Sequence, residues 1–148
     1  LLLTPLIDDG SAEARSLFLA HELIELNQTR KTIENAIYVE AQDQANEYIR
    51  SHTHSLVVYN ENWHSGVLGI VAARLMEQFY RPTVVLTRDG EFIKGSCRSI
   101  DNFDIYKAID KCAKIGIDTD FWKKNYDTED GKKYFKDFII KVAKYIDK

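Results

Sequence analysis

The chain has 148 residues, of which 45% are hydrophobic and 29% are charged, a balance typical of soluble globular proteins. Its net charge of −3 excludes a general attraction to polyanions, so binding to a nucleic acid would require a local basic patch. The two cysteines are too few for a disulfide framework, and no apolar run reaches the length of a membrane span, so we expect a cytoplasmic protein without a membrane anchor.

The first predicted element is one long helix. Ser11 is its expected N-cap, and the sequence contains neither proline nor glycine from Ala12 to about Arg50. At ~1.5 Å per residue such a helix spans roughly 55–60 Å, more than a small domain needs. Apolar residues recur along it at helical spacing, on one stripe. They are Leu19, Leu23, Leu26, Ile33, Ile37, Ala41, Ala45 and Tyr48.

This helix is interpreted as a connector between two domains. A coiled-coil arm is the alternative, but Arg30 and the small alanines on the stripe would weaken a zipper. The chain also begins at Leu1 rather than at methionine, which indicates a piece of a longer protein. We therefore assign residues 1–51 to the end of a preceding domain and its connector helix, and residues 52–148 to a second domain.

The second domain is predicted to be α/β, with a mixed β-sheet flanked by helices. Strand, helix and strand follow one another at Leu56–Tyr59, Gly66–Tyr80 and Thr83–Thr87, a βαβ pattern. Residues 88–90 then form a hairpin turn into a third strand, Glu91–Cys97. Further helices are predicted from Asn102 or Asp104 through Ala113, and from Tyr134 to Ile146.

A candidate site for an anionic ligand combines two motifs of this domain. Residues 62–75 form a turn and a glycine-containing helix start, where backbone N–H groups near Gly66 favour phosphate. Residues 94–99 read Lys-Gly-Ser-Cys-Arg-Ser, in which Arg98 can bind a phosphate in bidentate fashion. The alternative for Arg98 is an ion pair with Asp101 or Asp104. Likewise, His64 either contacts the ligand or makes a structural hydrogen bond, and we expect Arg74, inside the helix, to be structural.

These motifs resemble the DHH-associated domain of RecJ-like single-stranded-DNA exonucleases. The matching pattern is Trp-His-x-Gly-Val-x-Gly-Ile-Val-Ala-x-Arg-Leu from Trp63, then Arg81-Pro82, then Lys-Gly-Ser-x-Arg-Ser from Lys94. The resemblance runs from about Leu56 to Ala113 and continues more weakly through the long helix. It implies that a set of six residues contacts the phosphate backbone or the terminal nucleotide. They are Arg98, Ser96, Ser99, Gly95, Lys94 and His64.

The resemblance further implies a parent enzyme that degrades single-stranded DNA from the 5′ end with Mn²⁺ or Mg²⁺. The metals would be held by a DHH domain of the same polypeptide. The expected partners of this chain are therefore that DHH domain and single-stranded DNA. The chain contains no Asp-His-His and only four histidines, so we expect no catalytic residue and no bound metal here. Two alternatives stay open, namely a phosphodiesterase of the same superfamily for small oligonucleotides or cyclic dinucleotides, and a non-catalytic nucleic-acid-binding module.

One departure from the family pattern concerns a loop after the last of these elements. The resemblance implies a Gly-Gly-His motif after the helix that ends near Ala113, whereas here Lys114 runs straight into Ile115-Gly116-Ile117. Helices seldom pass into strands without a connection of a few residues. We interpret this as an omission from this sequence of roughly fifteen to twenty loop residues, flexible without ligand, between Lys114 and Ile115. The alternative is a divergent protein that lacks the motif.

Overall fold

The computed structural model describes residues 11–51 and 54–113, together with residues 128–130, 133 and 137. The predicted missing loop after Lys114 lies outside the described residues, as do residues 1–10 and most of the predicted helix Tyr134–Ile146. The elements follow the predicted order. They are α1 (Ala12–Tyr48), β1 (Leu56–Tyr59), a 3-10 turn (Ser65–Val67), α2 (Leu68–Phe79), β2 (Thr83–Asp89), β3 (Phe92–Arg98) and α3 (Ile105–Ala113).

The described strands form one mixed sheet in the order β1-β2-β3. β1 and β2 are parallel and are joined through α2, whereas β3 returns antiparallel to β2. The hairpin between β2 and β3 turns at Gly90, whose φ is 61°. A two-residue hairpin turn of the II′ type needs a positive φ at its first central position, which glycine adopts without strain. The predicted mixed α/β sheet is therefore confirmed.

The hydrophobic core lies between one face of the sheet and two helices. Leu56, Val58 and Val85 of the sheet pack against the apolar side of α2. The C-terminal half of α1 completes this core, and its Ala41 and Ala45 are fully buried. Because alanine has only a methyl side chain, α1 can lie close against the domain at these positions. The second face of the sheet carries a smaller cluster around Val57 and Val84, on which α3 places Ile105.

The predicted long helix is confirmed as one continuous element, α1, of 37 residues. Its two halves differ in burial along the same apolar stripe. In the C-terminal half Ile37 is 6% exposed, whereas in the N-terminal half Leu23 is 60% and Leu26 is 66% exposed. The N-terminal half therefore extends beyond the α/β core. No helix among the described residues has the length and apolar character needed to cross a membrane.

Candidate functional site

Arg98 and Ser96 lie side by side against the first turn of α2. Both project from β3 toward the face of the sheet that α2 covers, because they pair in register with Thr83 and Val85 of β2. A Cβ atom at Gly69 would stand 3.3 Å from Nη2 of Arg98 and 3.3 Å from Oγ of Ser96. The missing side chain at Gly69 thus makes room for the guanidinium and the hydroxyl. The two motifs singled out in the sequence meet at this point.

Among the described residues, the Arg98 guanidinium makes one hydrogen bond, from Nη1 to the backbone oxygen of Cys97 at 2.9 Å. It has no carboxylate partner within the described part of the chain. Asp101 instead accepts a hydrogen bond from the Tyr80 hydroxyl at 3.2 Å. Asp104 caps α3 by accepting from the Lys107 backbone N–H at 3.0 Å, which lowers the pKa of Asp104. The ion pair that was the alternative for Arg98 is therefore not formed with either aspartate.

Three other predicted site residues have contacts of their own. The Ser99 hydroxyl donates to the backbone oxygen of Phe103, so it stabilises the turn after β3. Gly95 lies on the opposite face of the sheet, where a Cβ would collide with the Leu86 side chain. Lys94 shares the face of Arg98 but forms an exposed ion pair with Asp89. Such surface pairs contribute ~0–1 kcal/mol, so an anionic ligand can compete for this lysine.

His64 caps the turn that leads into α2. Its Nδ1 accepts a hydrogen bond from the Gly66 N–H at 3.1 Å, so the proton of the neutral ring is on Nε2. A Cβ at Gly66 would lie 2.9 Å from Cε1 of His64, so a side chain there would have to displace the ring from this position. The Val67 N–H is also occupied, by the His64 backbone oxygen at 3.3 Å. The structural role foreseen for His64 is present, and two of the N–H groups expected to be free are already used.

The loop that carries His64 is anchored by polar side chains from its neighbours. Glu40 of α1 accepts from Nε1 of the buried Trp63 at 2.8 Å. Gln44 of α1 bonds both backbone groups of Tyr59, donating to its oxygen at 3.0 Å and accepting from its N–H at 3.1 Å. The side chain of Gln44 therefore satisfies the hydrogen-bonding groups of Tyr59 at the edge of β1. Together these hydrogen bonds of α1 hold the segment that leads from β1 to His64.

Thr87 anchors the same loop from the sheet. Its buried hydroxyl lies 2.9 Å from the backbone oxygen of Asn60 and 2.7 Å from that of Trp63. We expect Thr87→Val to lower the free energy of unfolding by ~1–3 kcal/mol, because the single O–H donor shared by these two carbonyls is lost while the shape is kept. Urea denaturation followed by circular dichroism measures this. Thr87→Ser, which keeps the hydroxyl, should be less destabilised, and a valine variant as stable as the original chain would contradict the anchoring role.

Sequence reasoning assigned Arg74 correctly but missed Gly69. Arg74 donates to Glu34 at 3.0 Å and to Asn35 at 2.8 Å, and its guanidinium lies 3.7 Å from the Tyr38 ring centroid, so its structural role is confirmed. Glycine is an unfavourable residue in a helix, and its presence in the first turn of α2 was the available signal for Gly69. The anchors Glu40 and Gln44 gave no comparable signal.

Cys97 is a free cysteine that neighbours Arg98 in the chain. The Cys97 thiol lies on the face opposite to Arg98, where burial raises its pKa and the positive charge of Arg98 partly opposes that shift. Within residues 11–51 and 54–113 no three side chains of the His, Cys, Asp or Glu type are grouped to hold a metal ion. What the described residues place together at this point is the guanidinium of Arg98 and the hydroxyl of Ser96, both next to Gly69.

The fold of these residues corresponds to a known domain family. Residues 52–116 match the DHHA1 domain family. Among curated proteins, the chain is 39% identical over 110 residues to the single-stranded-DNA-specific exonuclease RecJ of Escherichia coli K12, covering 72% of this chain and 19% of that protein. It is 36% identical over 112 residues to RecJ of Bacillus subtilis 168, covering 74% of this chain and 14% of that protein. Residues 52–116 therefore match a DHHA1 domain, and the chain is similar to RecJ proteins over about three quarters of its length.

Solved structures show the same relationship. A crystal structure of exonuclease RecJ bound to manganese superimposes with a TM-score of 0.55 at 31% identity, covering 69% of this chain and 24% of that one. RecJ of Thermus thermophilus in complex with Mn²⁺ gives a TM-score of 0.64 at 26% identity, covering 93% of this chain and 20% of that one. The chain spans about a fifth or less of the length of the curated relatives described above.

Proposed function

We propose that this chain is the substrate-binding C-terminal part of a RecJ-like 5′→3′ single-stranded-DNA exonuclease. In this proposal Arg98 and Ser96 hold the phosphate backbone or the terminal nucleotide. Lys94 and the Nε2–H of His64 add further donors around them, while Gly95 and Ser99 shape the strand and the turn that present Arg98. The relatives named above are single-stranded-DNA-specific exonucleases, which favours this substrate over cyclic dinucleotides.

The main support for the proposal is the environment of the Arg98 side chain. Its side chain is exposed, lies against Gly69 and Ser96, and is paired with no carboxylate of the described residues. A guanidinium held at the start of a helix, beside a hydroxyl, suits a phosphate group because it offers planar, charged N–H donors. An arginine that served only the fold would be expected to hold a carboxylate, as Arg74 does with Glu34.

The domain division is part of the same proposal. Residues 1–51 join this domain to a metal-bearing DHH domain of the same polypeptide, where Mn²⁺ or Mg²⁺ would assist hydrolysis. The exposed leucines of α1, Leu19, Leu23 and Leu26, lie on the stripe whose other half is buried here. Their unburied apolar surface favours a second body packed on the N-terminal half of α1. Substrate would then lie between that body and Arg98.

A binding and cleavage assay on the 148-residue chain tests this proposal. We expect fluorescence anisotropy to show binding to a labelled single-stranded oligothymidylate, weaker binding to the matching duplex, and no release of nucleotides with Mn²⁺ or Mg²⁺. The slope of log K against log salt should be about −0.7 for each phosphate contacted. Salt dependence separates phosphate recognition from apolar contact.

Three results would contradict the proposal in different ways. Chelator-sensitive release of nucleotides by the pure chain would overturn the absence of catalytic residues. Tighter binding of a cyclic dinucleotide than of the oligothymidylate would favour the phosphodiesterase alternative. Equal affinity for single strand and duplex, with the same salt slope, would favour a non-catalytic nucleic-acid-binding module.

A further inference from the structure

The outer strand of the described sheet, β3, carries an exposed aromatic ring in line with the candidate site. Phe92 is the first residue of β3 and is 62% exposed. Side chains on alternate residues of a strand share a face, so Phe92, Lys94, Ser96 and Arg98 form a single row. Their register with β2 assigns this row to the face on which α2 and Gly69 lie.

The order of groups along this row is guanidinium and hydroxyl, then ammonium, then aromatic ring. Nη2 of Arg98 and Oγ of Ser96 approach the same point at Gly69, so the guanidinium and the hydroxyl mark one end of the row. Two residues of a strand advance ~6.7 Å, so Phe92 lies ~13–14 Å along the strand from Ser96. A few nucleotides of an extended single strand can cover this distance.

We propose that Phe92 is a base-stacking residue that extends the binding site along β3, a role that rests on the proposed function. Proteins that bind single strands combine cations that follow the backbone with aromatic rings on which bases stack. Here Arg98 binds a phosphate and so positions the DNA along this row of side chains. Lys94 contacts the sugar-phosphate backbone of the DNA, and one base stacks on the ring of Phe92. The tight turn at Gly90 holds the ring at the tip of a short hairpin.

The charges around Phe92 determine which part of the single-stranded DNA can lie next to it. Asp89 pairs in register with Phe92 and holds the Lys94 ammonium in an ion pair. Both partners are about half exposed, at 58% for the lysine side chain and 48% for the aspartate. A phosphate can therefore take Lys94 from Asp89 at small cost. The base, which is uncharged, is the part of the nucleotide that suits the position next to Asp89.

The test compares Phe92→Ala, Phe92→Leu and Phe92→Tyr with the original 148-residue chain. The probes are a labelled eight-nucleotide oligothymidylate and a strand of the same length in which every nucleotide after the first two is abasic. We expect the alanine and leucine variants to bind the oligothymidylate about fivefold or more weakly, and the tyrosine variant to bind it normally. On the abasic strand the four proteins should bind alike.

The Arg98→Ala variant, measured in the same assay, distinguishes a failure of the stacking proposal from a failure of the proposed function. If the Phe92 variants bind the oligothymidylate normally while Arg98→Ala binds weakly, base stacking is wrong and the proposed function stands. If neither the Phe92 substitutions nor Arg98→Ala weakens binding, both the stacking proposal and the proposed function are wrong. A leucine variant that binds as well as phenylalanine would also overturn stacking, because an apolar side chain without a ring would then suffice. Circular dichroism melting of each variant checks that the chain is folded.

Discussion

Arg98→Ala is expected to weaken single-strand binding by ~1.5–3 kcal/mol, about 10- to 150-fold. Among the described residues, the guanidinium makes one hydrogen bond, to the Cys97 backbone oxygen, and no ion pair. Its loss should therefore cost ligand binding rather than folding. Titration of labelled oligothymidylate at several salt concentrations measures the change. The salt slope should become shallower by ~0.7 if one phosphate contact is lost.

Arg98→Lys is the matched control for this prediction. It keeps the charge but replaces the planar fork of donors with a single ammonium. We expect an intermediate affinity with the salt slope of the original chain, because one charge still meets one phosphate. Unchanged binding in Arg98→Ala, together with a large fall in melting temperature, would show that Arg98 serves the fold instead.

Substitutions at Gly69 are expected to move stability and binding in opposite directions. Alanine is the better helix former by ~1 kcal/mol, so Gly69→Ala should leave the free energy of unfolding unchanged or raise it. The added methyl stands 3.3 Å from both Arg98 Nη2 and Ser96 Oγ, so these side-chain ends must shift. Misplacing the guanidinium should reduce affinity several-fold, and the bulkier Gly69→Leu should reduce it by about tenfold or more.

Paired measurements make the Gly69 prediction specific. Urea denaturation gives the free energy of unfolding, and anisotropy titration gives the affinity for the same oligothymidylate. A parallel fall in both quantities would mean that Gly69 is needed for packing of α2 on the sheet. A normal affinity in Gly69→Leu would mean that the guanidinium does not bind the ligand from the position it occupies here.

The elements of this protein were largely predictable from local pattern. The absence of glycine and proline after Ser11 predicted α1, and the buried runs at Leu56 and Thr83 predicted the parallel strands. The run of residues 88–90 predicted the hairpin, and the structure places its turn at Gly90 and Glu91, between the paired residues Asp89 and Phe92. Each of these signals acts over a few neighbouring residues, so the chain carries it without reference to the rest of the fold.

The candidate site was predictable only in part. The motif resemblance identified Arg98 and Ser96, but it could not separate them from Gly95 and Ser99, which follow in the same run. The strand register makes the distinction, because it turns Gly95 toward Leu86 on the opposite face. The turn after β3 then engages the Ser99 hydroxyl with the Phe103 oxygen.

Sequence alone determined the helix, the strands, the hairpin and the resemblance to RecJ, since these depend on local conformation and on residue identity. Tertiary structure alone decided that Gly69 faces Arg98 and that Gln44 covers the edge of β1, since these contacts join distant segments. It also decided which half of the α1 stripe is buried. Apolar periodicity defines a face of a helix, but only the position of other segments decides whether that face is covered.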